Sequence, residues 1–150
     1  MTLYSIALFA HIAGAVLIFV LLTVEGVGLR SGMAAARLNR VLGPISALLI
    51  LVPGFYMAAQ TGWSAWTGVG LATYVLIAGL GAYTGIAVLR GRMAVSAAAV
   101  SWLVRIGMAA GVLFDMTVKP GLAVSIAAVA VAVTLALAAA VPTVRRVRVA

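Results

Sequence analysis

Apolar residues in this chain do not alternate with polar ones. They run together in long blocks, separated by short breaks that carry arginine, tryptophan, glycine or proline. Blocks of about 20 residues match the hydrocarbon core of a bilayer when they are helical, at about 1.5 Å of rise per residue. The first block runs from about Leu3 to Val24, with Glu25 at its end. It lacks a basic leader and is longer than the apolar stretch of a signal peptide, so it reads as a retained span. The second runs from about Val41 to Gln60, with Pro44 expected in its first turn and Pro53-Gly54 as a kink. The third runs from about Val69 to Leu89, and the last from Gly121 to Val141, ahead of Pro142.

The segment between them, about residues 94–118, decides the topology. It is apolar enough to span except for Arg105. If it crosses, Arg30, Arg37, Arg40, Arg90, Arg92 and the C-terminal arginines all fall on one side, opposite Lys119. If it lies flat on the membrane, there are four spans and the C-terminal arginines end up translocated, against the positive-inside rule. The expected fold is therefore an all-α, polytopic transmembrane bundle of five spans in a single domain. Its N-terminus is outside and its C-terminus cytoplasmic. Asp115 to Gly121 then forms a tight external hairpin. Trp63 and Trp66, beside the uncharged turn between spans two and three, read as an interfacial aromatic belt.

Composition agrees. The chain is 66% hydrophobic and 8% charged, which excludes a soluble globular domain. A net charge of +8 would suit nucleic acid in a soluble protein, but here the basic residues form short clusters between spans and no continuous stripe. Nucleic acid is not an expected partner; the lipid bilayer is. The preference for Ala, Val, Gly and Arg over Ile and Lys fits a GC-rich bacterial genome, so the expected location is a bacterial plasma membrane. Cysteine is absent, so thiolate metal sites and iron–sulfur clusters are excluded. Gly81 with Gly85, and Gly107 with Gly111, recur at the spacing that lets helices approach closely in lipid. Packing within the chain is the first reading, and a homo-oligomer or membrane-partner interface the second.

Candidate chemistry is sparse. His11 is the only histidine, and Glu25 and Asp115 are the only acids. One histidine and two distant acids do not build a common hydrolase site, so an autonomous enzyme is not expected. His11 lies about 12 Å below the outer end of span one, and Arg105 about 16 Å above the inner end of span four. In a core about 30 Å thick, the two depths nearly coincide. Tyr74, Tyr56 and Met57 fall in the same half, so a polar layer around His11 and Arg105 is expected inside the bundle. Such a layer would suit haem b, with His11 as metal ligand, Met108 as a second axial ligand, and Arg105 on a propionate beside Tyr74. It would equally suit the pathway of a transporter, or an accessory or assembly subunit, for a small ion or solute. The plainer alternative gives His11 a hydrogen bond to a neighbouring helix and pairs Arg105 with Asp115 or with backbone carbonyls. Glu25 reads as shallow and paired with Arg30 or the basic loop. Asp115 and Lys119, four residues apart, read as a helix-end ion pair. The methionines form no tight cluster, so copper is not expected.

The stretch Phe9-Ala10-His11-Ile12-Ala13-Gly14 resembles the opening helix of the copper-resistance-D-like superfamily of small bacterial membrane proteins. That superfamily includes the J-type membrane protoporphyrinogen oxidase. The nearest likeness is to one of its uncharacterised families of predicted integral membrane proteins. There a Thr-x-Lys-Pro turn precedes the last span, as Thr117-Val118-Lys119-Pro120 does here. The resemblance implies a small helical bundle and associates the first-span histidine, His11, with haem. Span three carries no histidine or lysine to complete an oxidase-like site.

Overall fold

A computed structural model of the chain describes residues 2–31 and 35–147. Five α-helices fill it: α1 (Leu3–Ser31), α2 (Ala35–Thr61), α3 (Ala65–Leu89), α4 (Val95–Val118) and α5 (Leu122–Val147). All five are long and apolar enough to cross a membrane, α4 included, so the bundle has five spans and not four. Met33 and Arg148 lie outside the described residues.

Several helices extend past their apolar blocks. α1 continues to Ser31 despite Gly26 and Gly28, and α2 begins at Ala35, because helical pairing keeps the backbone groups satisfied at the membrane edge. Pro44 is therefore not in the first turn of α2. It is the tenth residue of the helix, and without an N–H it leaves the Arg40 carbonyl without its helical donor. α5 likewise runs on through Pro142.

The connections are short. α3 ends in a Schellman motif: Gly91, at φ 64°, donates to the Val88 carbonyl, and Arg92 donates to that of Ala87. α4 ends at Lys119, which takes the left-handed conformation at φ 53° and donates its N–H to Asp115. The expected Lys119-Pro120-Gly121 turn is thus the link between α4 and α5. One end of the bundle carries Arg37, Arg40, Arg90 and Arg92; the other carries Trp63, Trp66 and Lys119.

α1 to α4 form a ring in which each helix packs on the next and α4 closes on α1; α5 lies outside, against α4 and α3. Small residues set the tight crossings. A Cβ on Gly107 would come within 2.5 Å of the Val133 Cα, and one on Gly111 within 2.6 Å of the Val129 Cα. These two glycines of the small-residue pattern therefore seat α5 within the chain. Gly14 brings α1 onto Leu49 and Ile50 of α2 in the same way. The outer surface is apolar, with Phe9, Val16, Leu48, Val75 and Leu135 among the exposed side chains, as lipid contact requires. Thr23, Thr61, Thr117 and Thr134 satisfy their hydroxyls on carbonyls four residues back in their own helices.

Candidate functional site

The ring of four helices is not filled to its centre. A cavity of 640 Å³ runs from Tyr74, midway along α3, to Arg40 and Arg90 at the arginine-bearing end. Its walls are mostly apolar, from residues such as Leu21, Ile77 and Ile86. Its polar groups are Glu25, Asn39, Arg40, Ser46, Tyr74, Arg90 and Arg105.

Arg105 and Glu25 form the one ion pair among the described residues, with side chains 4% and 12% exposed. Arg105 Nη1 donates to Glu25 Oε2 at 2.9 Å, Nη2 donates to Oε1, and Nε reaches back to the Ser101 carbonyl at 3.3 Å. The fork is bidentate, the strongest arrangement open to these two groups. Asn39 Nδ2 adds a third bond to Glu25 at 2.9 Å. Gly81 lies beside the guanidinium: a Cβ there would stand 3.4 Å from Arg105 Nη1, in ordinary contact.

This pairing corrects the expectation that Glu25 is a shallow residue of the basic loop. α1 runs beyond Glu25 for more than a turn, so the carboxylate lies inside the bundle. A helical side chain also leans toward its own N-terminus, and the N-terminal end of α4 is the arginine-bearing one. Arg105 therefore delivers its guanidinium well away from the depth of its own Cα, toward Glu25. Arg105 does not pair with Asp115.

The expected polar layer is divided. Tyr74 and Arg105 line the cavity, with Tyr74 approaching Ser46; His11, Tyr56 and Met57 do not line it. His11 Nδ1 donates to the Ile50 carbonyl of α2 at 2.8 Å, and its ring packs on Gly54, next to Pro53 within the helix. That bond leaves the Nε2 lone pair free, the tautomer a metal-ligating histidine uses. Met108 packs instead against the apolar cluster of Leu22, Ile77 and Ala109. Leu22 is about 16 Å along α1 from His11, at 1.5 Å per residue. The side chains thus offer one axial position for haem and do not bring Met108 to the second. No group of three or more His, Asp or Glu side chains suited to a metal occurs among the described residues.

Asp115 also departs from expectation. It is wholly buried between α4 and α5, facing Ser125, and neither of its oxygens nor the Ser125 hydroxyl has a hydrogen-bond partner. Lys119 does not pair with it. The left-handed turn at Lys119 swings that side chain away, and its ammonium sits 5.7 Å from the Trp66 ring centroid.

Asn39, Arg40, Ser46 and Arg90 join the site only in three dimensions. Glu25 alone had a sequence signal: a buried mid-span arginine needs an anion, and the chain has just two acids to offer. Comparison with known protein families, with curated proteins and with solved structures finds no match to this chain.

Proposed function

We propose that this is a bacterial plasma-membrane protein that takes a small solute into the cavity lined by α1, α2, α3 and Arg105 of α4, as a transporter or as the accessory subunit of one. The arginine-bearing end is cytoplasmic on the positive-inside rule, so the N-terminus is outside and the cavity faces the cytoplasm. The observation that carries the reading is the Glu25–Arg105 pair on the wall of a cavity of ligand size. An ion pair serving only to join helices is better packed on all sides, because every open face costs contacts. A pair that fronts an open space presents charge to whatever enters.

The test is access. Ala82 lines the cavity, whereas Val75 on the same helix is 55% exposed on the outer surface. The chain has no native cysteine, so Ala82→Cys and Val75→Cys each carry a single thiol. The membrane-impermeant anion sulfonatoethyl methanethiosulfonate should modify Ala82→Cys in inverted vesicles and spare Val75→Cys, which lipid covers. An unreactive Ala82→Cys in both vesicle orientations would remove the solute reading.

A second reading rests on His11 alone. Its Nδ1–H is fixed on the Ile50 carbonyl, which favours Nε2 as a single axial ligand to haem b. A Soret band in the purified protein that disappears in His11→Ala supports it; a colourless protein after haem addition removes it.

A further inference from the structure

We propose that the cavity binds organic anions with an apolar body, and that each anion enters with a proton taken up by Glu25. The inference rests on the reading of the cavity as a solute site. Three arginines, Arg40, Arg90 and Arg105, line the space against one glutamate, so its electrostatic preference is for anions. Arg40 and Arg90 stand at the mouth; Arg105 is the deep cation. Between them the apolar walls, including Ile18, Ile77 and Leu89, match a hydrocarbon or aromatic body and give no partner to a polar one.

The proton follows from the occupancy of Arg105. Both of its terminal nitrogens are engaged on Glu25 and its Nε on the Ser101 carbonyl. An entering carboxylate, sulfonate or phosphonate therefore gains the guanidinium fork only by displacing Glu25. A displaced Glu25 keeps one partner, Asn39 Nδ2, among walls that are mostly apolar. As a carboxylate it would also face the newly bound anion at close range between mostly apolar walls. Taking a proton from the cytoplasmic side removes both costs. The balance is one anion and one proton in, with the Arg105–Glu25 bonds exchanged for Arg105–anion bonds and a neutral Glu25 carboxyl. The groups facing Glu25 are Arg105 from α4, Asn39 and Arg40 from α2, and Tyr74 and Arg90 from α3; α5 contributes none to the cavity.

Hexanesulfonate is a suitable probe, because its own charge does not titrate and any proton uptake belongs to the protein. Its binding to detergent-purified protein is read by protection of Ala82→Cys from thiosulfonate. Proton uptake is read by calorimetry in buffers of different ionisation enthalpy. The wild type should take up a proton with each anion, so its affinity should fall as pH rises, by at most about tenfold per unit. Glu25→Gln should still bind but take up no proton, and its affinity should not vary with pH. The neutral pair Glu25→Gln/Arg105→Gln leaves no stranded charge and should fold without protecting Ala82→Cys. Protection without proton uptake in the wild type would overturn the coupling while leaving the cavity a solute site. An Ala82→Cys that reacts with the thiosulfonate but is not protected by hexanesulfonate would overturn the anion class. An Ala82→Cys that never reacts would remove the solute reading itself.

Discussion

Removing the Glu25 carboxylate while keeping Arg105 leaves a guanidinium, 3% exposed, with the Ser101 carbonyl as its remaining acceptor. Two charge-assisted bonds from Arg105 and one from Asn39 are lost together. Breaking a buried pair from one side costs about 3–5 kcal/mol. The lower end applies here, because Glu25 borders the cavity and is 12% exposed there. Glu25→Leu and Arg105→Met should each be destabilised by about 3 kcal/mol, whereas the double variant, with no stranded ion, should be less destabilised than either single one. Unfolding by sodium dodecyl sulfate in mixed micelles gives the comparison. Tryptophan fluorescence follows it, since Trp102 lies against Gly26, next to Glu25, with its indole N–H on the Leu22 carbonyl. Single variants within about 0.5 kcal/mol of wild type, the usual range for surface changes, would refute the buried pair. So would a double variant whose loss equals the sum of the two singles, because independent sites add.

Other outcomes follow from the same geometry. Gly107→Ala should destabilise by about 1–3 kcal/mol, because its Cβ meets the α5 backbone, while Gly79→Ala, with open space around it, should be neutral or better in the same unfolding assay. His11→Ala removes the bond to Ile50 and should cost about 0.6–1.7 kcal/mol, with a matching fall in Tm; no change would mean that the carbonyl finds another donor. Single cysteines at Ser64 and Ala94, which flank α3, should label from opposite faces of the membrane; labelling from one face would contradict the crossing of that helix.

Much of the architecture is written in one dimension. Five apolar blocks of bilayer length, two of their four breaks marked by arginines, leave the backbone no alternative to spanning helices, since lipid offers no partners for unpaired N–H and C=O groups. Even the short α4–α5 turn was readable, because Lys119-Pro120-Gly121 cannot continue a helix. Helix ends were less legible, since arginine, asparagine and proline at the membrane edge do not oblige a helix to stop. The site itself depended on rotation and on side-chain reach. Depth along the axis suggested His11 beside Arg105, but His11 faces α2 and Arg105 leans a turn or more toward the N-terminus of α4. Glu25 became the partner of Arg105, and Asp115 a buried carboxyl between helices, because ring order and helix azimuth choose among polar residues that sequence spacing leaves equivalent. The cavity belongs wholly to tertiary structure: its lining comes from four different helices, and only their packing brings those residues to one space.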